Sequence, residues 1–186
     1  MALKDSLNKI LESGEVPESW KEARTIMIPK VRNPEVKELR PISLINISYK
    51  IFMKIMRERI DNHLRENEEE KEEQTGFTKG KRIEDNLFIL QYCIRKTYEQ
   101  RKQLYVAAID FKKAYDYIKR DQLIQVMMDY KIDSKIIECI TGIYSNDKTR
   151  IRVNNEKEID VNITNGIRQG CTGSTYDTIQ TNHIHM

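Results

Sequence analysis

Apolar residues recur every three or four positions along five stretches of the chain, and this spacing predicts amphipathic helices. The stretches are 3–11, 47–64, 83–98, 123–130 and 136–144. In the second stretch the residues expected to form the buried face are Ile47, Ile51, Ile55, Ile60 and Leu64, with Phe52 and Met56 widening it. In the third stretch the residues expected to face inward are Leu87, Leu90, Ile94 and Tyr98. Asp133 or Ser134 is placed to cap the last helix.

Other stretches have the pattern of strands. Residues 24–28 are predicted to form a short strand that ends at Pro29. A charged loop framed by Pro34 and Pro41 is predicted to follow. The unbroken apolar run 104–109 is typical of a central strand that is buried on both faces. Apolar and polar residues alternate over 150–153 and 158–163, which predicts a hairpin closed by the loop 154–157. Helices and strands together predict an α+β fold.

Composition narrows the class of protein. The 186 residues include 32 basic and 29 acidic side chains, so the net charge of +3 is too weak to indicate nucleic-acid binding by itself. Mean hydropathy is −0.67, and no uncharged run approaches the length of a membrane span. Cys93, Cys139 and Cys171 are widely spaced and form no paired motif, and no apolar leader follows Met1. We therefore expect an intracellular protein, with nucleus or cytoplasm left open, and no membrane partner.

The segment 107–116 carries the most informative candidate chemistry. Asp110 ends the apolar run, and a carboxylate at the mouth of a sheet is a common place for a catalytic acid. Mg²⁺ prefers hard oxygen ligands, which the Asp110 carboxylate and the Phe111 carbonyl can supply. Tyr115 is spaced to lie beneath a sugar ring. The alternative is an aspartate that only caps the following turn.

Two further segments are weaker candidates. Gly166 and Gly170 permit a close backbone approach, and Arg168 and Gln169 carry donors for phosphate or base edges, although a polar turn explains them equally. Lys30 and Arg40 flank a proline-restrained loop and suit a triphosphate, with solvated surface charge as the alternative.

Taken together, five segments resemble, in order and spacing, the reverse transcriptase domain of non-LTR retrotransposons. They are Trp20-Lys21-Glu22-Ala23 with Ile28-Pro29-Lys30, Leu39-Arg40-Pro41-Ile42-Ser43-Leu44, Gln74-Thr75-Gly76-Phe77, Ala108 to Asp116, and Gly166 to Cys171. Any one of these segments proves little, but five in order are specific. The resemblance defines residues 1–174 as a partial reverse transcriptase domain and leaves 175–186 as a divergent tail, expected to be disordered.

The resemblance implies a partial right-hand polymerase fold, comprising the fingers and the first part of the palm, with several helices on a small mixed sheet. It implies RNA-templated DNA synthesis, with an RNA template, a DNA primer, dNTP and Mg²⁺. Asp110 would bind the catalytic metal ions and Phe111 would line them, while Tyr115 would exclude ribose. The residues implied to bind the nucleotide are Lys30, Arg40, Phe111, Tyr115, Gln169 and Gly170.

The sequence also departs from the family. It contains no Asp-Asp pair, although two-metal catalysis needs carboxylates from two places, so Asp110 alone leaves the metal site incomplete. We expect the chain to be inactive alone, and whether it is an enzyme stays open. The alternatives are a nucleic-acid-binding module that uses its loop lysines and arginines, a retroelement remnant without function and, ranked lowest, a helical interaction domain.

Overall fold

The structure is a computed structural model that describes residues 3–29, 31–33, 35, 38–67, 75, 76, 78, 80–113, 115–152 and 158–168. The helices are α1 (Leu3–Ser13), α2 (Glu18–Lys21), α3 (Ile47–Glu66), α4 (Ile83–Glu99), α5 (Arg120–Asp129) and α6 (Ser134–Tyr144). The strands are β1 (Glu22–Pro29), β2 (Leu39–Leu44), β3 (Lys148–Arg152) and β4 (Glu158–Asn162). This mixed architecture confirms the predicted α+β class and agrees with a partial polymerase fold.

The four strands form one mixed sheet in the order β2-β1-β3-β4. β1 pairs antiparallel with β2 and parallel with β3, and β3 pairs antiparallel with β4. The expected charged loop around Pro41 is therefore partly wrong, because Pro41 lies inside β2 opposite Met27. Proline lacks an N–H donor and is tolerated in an edge strand, which is the position of β2 in the described sheet.

The core is formed by α1, α2, α3, α5 and α6 together with one face of the sheet, and it includes Trp20. The Trp20 ring meets Tyr49 edge-on with the ring centroids 5.8 Å apart, and it lies 5.2 Å from the ring of Phe52. Its indole N–H donates to Ser48 Oγ at 3.0 Å. The largest fully buried side chains are Trp20, Tyr49, Phe52, Met53, Met56, Ile60, Leu64, Met127, Ile140 and Ile143. Short α2 thus joins the sheet to α3 through one aromatic side chain.

The buried face of α3 is only partly the predicted one. Ile60 and Leu64 are buried as expected, together with Phe52 and Met56. Ile47, Ile51 and Ile55 are instead exposed by 74%, 38% and 38%. Apolar residues lie around much of this helix, so periodicity alone admits more than one inward face, and contact with Trp20 selects the face that carries Tyr49 and Phe52.

Two expected core elements are exposed. Helix α4 forms where predicted, but none of its residues is buried, and the expectation that Leu87, Leu90, Ile94 and Tyr98 point inward is wrong. The run 104–109 is exposed and has no strand structure, so it is not the predicted central strand. A central strand needs a paired neighbour on each side, and in the described sheet β1 to β4 pair only with one another.

Three further local predictions are confirmed, namely helices α5 and α6 and the β3–β4 pair. Helices α5 and α6 form, and the Asp133 carboxylate caps α6 by accepting from the Lys135 N–H at 2.8 Å. The strands β3 and β4 are the predicted antiparallel pair, with Thr149 opposite Val161, while the residues between them lie outside the described part. Among the described residues, no helix has the length and apolar character to cross a membrane. The tail 175–186 lies outside the described residues.

Replacing Ile60 by alanine is expected to destabilise the fold by about 2–5 kcal/mol, because its side chain is fully buried and the removed atoms leave a cavity. The matched control is Ile47→Ala on the same helix, where a side chain that is 74% exposed predicts a change of about 0.5 kcal/mol or less. Urea unfolding of both variants measures the difference. Equal losses of stability in the two variants would mean that Ile47 is as buried as Ile60, which would contradict the inward face described for α3.

Candidate functional site

The structure brings the end of the 107–116 segment into contact with the segment that begins at Gly166. The Gly166 N–H donates to the Ile118 carbonyl at 2.8 Å, and the Ile167 N–H donates to the Tyr115 carbonyl at 3.1 Å. Tyr115 is half-buried and packs against the hydrophobic core. Two segments about fifty residues apart in sequence therefore form one surface through backbone hydrogen bonds.

Gly166 is the point of closest approach between them. Its φ of +79° lies in the left-handed region, which favours glycine. A Cβ at this position would stand 2.9 Å from the Tyr115 carbonyl oxygen and 3.0 Å from Asp116 Cα, both backbone atoms that cannot easily move away. Conformation and space both require glycine here.

Beside this contact lies a buried ionic cluster made of Asp147, Arg120 and Arg168, here called the Asp147 cluster. The Asp147 side chain is 1% exposed and the Arg168 side chain 4%. Arg168 donates to Asp147 Oδ1 from Nη2 at 2.5 Å and from Nε at 3.1 Å. It also donates to the Trp20 and Lys21 carbonyls, each at 2.6 Å. Arg168 thereby ties the Gly166 segment to the chain entering β1.

Arg120 completes the cluster from the first position of α5. Its Nη2 donates to the other carboxylate oxygen of Asp147 at 2.5 Å. Its remaining donors reach the carbonyls of Gly166 at 2.9 Å, Ile163 at 2.8 Å and Tyr144 at 3.2 Å. Because one carboxylate receives both guanidinium groups, α5, the sheet and the Gly166 segment are held at a single point.

A cavity of about 170 Å³ lies between the inner sheet face and this segment. Its lining includes Thr25, Thr149 and Ser43 from the sheet, with Asp116 and Gly166 on the other side. Ligand pockets generally measure about 300–1,000 Å³. As formed by the described residues, the cavity is too small for a nucleotide, so nucleotide binding needs further surface.

The predicted site residues are only partly brought together. Tyr115 lies at the contact just described, whereas Asp110 is exposed in a segment without helix or strand and Phe111 is 57% exposed. Arg40 is exposed on β2, paired with Ile28 of β1. Lys30, Gln169 and Gly170 lie outside the described residues.

Mg²⁺ is the metal that the sequence resemblance implies. Within the described ranges, no group of three or more His, Cys, Asp or Glu side chains could hold a metal ion. Asp110 offers one carboxylate, which does not fit a two-metal site by itself. No catalytic step through a metal follows from the described residues.

Other titratable groups do not form a second site within the described part of the chain. Burial raises the pKa of the Cys139 thiol to about 11, and its Sγ donates to the Ile10 carbonyl at 3.5 Å. A thiol with a raised pKa is a poor nucleophile at neutral pH. On the outer sheet face, a hydrogen bond from Arg150 lowers the pKa of the Asp160 carboxyl. These groups have structural roles.

Sequence patterns identified the Gly166 segment but missed Asp147 and Arg120. Neither residue lies in a motif, and Asp147 lies 27 positions from Arg120 and 21 from Arg168. The sequence offered only an indirect signal for Arg120. This arginine begins α5, and a positive charge at the positive end of a helix is unfavourable unless an acidic group lies beside it. The sequence predicts that Arg168 donates to phosphate or base edges, but in the structure its side chain is buried and hydrogen-bonded to protein.

Known proteins match the part of the chain that contains the 107–116 segment and the Gly166 segment. The family profile described as reverse transcriptase (RNA-dependent DNA polymerase) matches residues 28–179. The chain is 27% identical over 172 residues to a Pol polyprotein of a type-1 R2 retrotransposable element from Nasonia vitripennis, covering 90% of this chain and 16% of the relative. A similar polyprotein from Popillia japonica is 27% identical, covering 84% of this chain and 22% of the relative. The chain thus spans a fifth or less of the length of most curated relatives it matches.

Gly166→Ala is expected to lower stability by roughly 3 kcal/mol or more, from left-handed strain together with the clash against the Tyr115–Asp116 backbone. Gly80→Ala is the matched control, because Gly80 also has a positive φ of +86° but a Cβ added there would meet nothing within 4 Å. That control should lose only about 1 kcal/mol. Thermal unfolding compares the two, and similar losses would refute the close approach at Gly166.

Proposed function

The chain belongs to the reverse transcriptase family, and from this premise we propose that it supplies the fingers and the first part of the palm of a retrotransposon RNA-directed DNA polymerase. The observation that carries the proposal is the family match over residues 28–179, which includes both the 107–116 segment and the Gly166 segment. The relatives named above are polyproteins of non-LTR retrotransposable elements, so the proposed substrates are an RNA template, a DNA primer and dNTP.

The roles proposed for individual residues follow from their chemistry and position. Arg40 presents a guanidinium from an exposed position on β2, where a planar set of donors suits phosphate oxygens. Asp110 offers a solvent-accessible carboxylate for a metal ion, and Tyr115 supports the sugar side of the nucleotide. Lys30 would join Arg40 at the triphosphate, and Gln169 and Gly170 would shape the nucleotide pocket.

We further propose that these 186 residues bind nucleic acid but do not catalyse synthesis alone. Two-metal phosphoryl transfer places two ions roughly 3.5–4 Å apart between carboxylates from separate segments. The sequence has no Asp-Asp pair to complement Asp110. Exposed cations near the proposed site, including Arg40, Lys112 and Lys113, still permit phosphate contacts.

The 186-residue chain, mixed with an RNA–DNA primer–template, Mg²⁺ and dNTP, is expected to bind the hybrid without extending the primer. Anisotropy of a labelled hybrid measures binding, which should weaken linearly in log Kd against log salt because phosphate contacts release counterions. Gel analysis of the primer measures extension. Extension that disappears in Asp110→Ala but persists in the surface variant Asp160→Ala would refute the proposed inactivity.

Arg40→Ala is expected to weaken dNTP binding to the chain–hybrid complex by about 10–100-fold, because it removes a charged donor worth about 1.5–3 kcal/mol. Stabilisation of the complex by added dNTP is the measurement. Arg95→Ala is the matched control, since Arg95 is an exposed arginine on α4 that pairs only with Glu99 among the contacts of the described residues. Equal effects of the two variants would contradict a specific role for Arg40.

A further inference from the structure

We infer that Asp147 is a positioning residue that, through Arg168 and Arg120, fixes the Gly166–Arg168 backbone, and that dNTP binding depends on this backbone being fixed. The inference about the nucleotide rests on the proposed function. The inference about the Gly166–Arg168 backbone rests only on the geometry.

The first step is that Arg168 serves the fold and is not available to a ligand. A guanidinium carries five N–H donors. Arg168 makes four hydrogen bonds, to the Asp147 carboxylate and to the Trp20 and Lys21 carbonyls. With its side chain 4% exposed, it cannot meet a phosphate without breaking these bonds. Arg168 is therefore an anchor for the Gly166–Arg168 backbone.

The second step is that Arg120 holds the same backbone through hydrogen bonds of its own. It donates to the Gly166 and Ile163 carbonyls, which lie on either side of residues 164 and 165. The Ile163 N–H donates to the Asp147 carbonyl at 2.9 Å, so Asp147 contacts this segment through its backbone as well. The segment 163–168 is therefore held at its start, middle and end.

The third step is that the carboxylate controls both anchors. Asp147 is the acidic member of a described cluster that contains two arginines, and its two oxygens receive one guanidinium each. If that charge is removed, two largely buried cations lose their shared partner and repel each other. The segment 163–168 should then loosen before the apolar core does, because the side-chain hydrogen bonds described for it are made by these two arginines.

The test compares Asp147→Asn, which keeps the shape and removes the charge, with Asp160→Asn on the exposed sheet face. Arg120→Lys is a second, milder variant in case Asp147→Asn does not fold. It keeps the positive charge but loses the guanidinium hydrogen bonds to the Gly166 and Ile163 carbonyls. Amide exchange followed by mass spectrometry reports residues 163–168 separately from α3. Titration of the chain–hybrid complex with dNTP and Mg²⁺ reports nucleotide affinity separately from hybrid affinity.

If Asp147 positions the segment, Asp147→Asn and Arg120→Lys should raise the amide exchange rates of residues 163–168 by roughly tenfold or more. The exchange rates of α3 should stay within about twofold of wild type. Such positioning also predicts a dNTP Kd raised by about tenfold with the hybrid Kd nearly unchanged, while Asp160→Asn resembles wild type. Unchanged exchange in 163–168, or an equal rise in α3, would overturn the inference about the backbone.

Loosened residues 163–168 with an unaltered dNTP Kd would overturn the link to the nucleotide. Wild-type chain that binds no hybrid would instead reject the proposed function, and the exchange result would still decide whether Asp147 positions the segment.

Discussion

The arrangement of α5, the sheet and the Gly166 segment depends on one buried carboxylate that neutralises two arginines. Removing an ion from water costs several kcal/mol, so a buried charge persists only where its hydrogen-bonding capacity is satisfied. Asp147 meets this condition with a guanidinium on each oxygen, and the arginines meet it with carbonyls from five different residues. Loss of the carboxylate would therefore disturb every element whose carbonyl accepts from Arg120 or Arg168.

The ionic cluster and the hydrophobic core meet at Trp20. Its ring packs against Tyr49 and Phe52, while its carbonyl accepts a hydrogen bond from Arg168. The Arg168 guanidinium also lies 5.6 Å from the Tyr49 ring centre, and that of Arg120 lies 4.5 Å from the Tyr144 ring centre. Aromatic faces attract cations, most strongly away from water. Apolar packing and charge pairing thus stabilise the same few side chains.

Sequence patterns predicted the features that are determined locally. Helix α6 and the β3–β4 pair depend on neighbouring residues, and the structure confirms both. The inward face of α3 and the exposure of Leu87 on α4 depend on which elements meet in space, which periodicity does not specify. The pairing of Asp147 with two arginines was likewise out of reach, because its partners are distant in sequence. Sequence patterns therefore indicated the two segments that the structure brings into contact, but not the side chains that hold them together.

The parallel pairing of β1 with β3 has a consequence for synthesis of the chain on the ribosome. Thr25 and Thr149 share a hydrogen bond across 124 positions, and the Trp20 carbonyl accepts from a donor 148 positions later. Antiparallel β1 and β2 can associate early, because short loops close at low entropic cost. The strand β1 cannot obtain its second neighbour until β3 has emerged, so the nascent chain exposes an unpaired strand edge while the residues between β1 and β3 are synthesised.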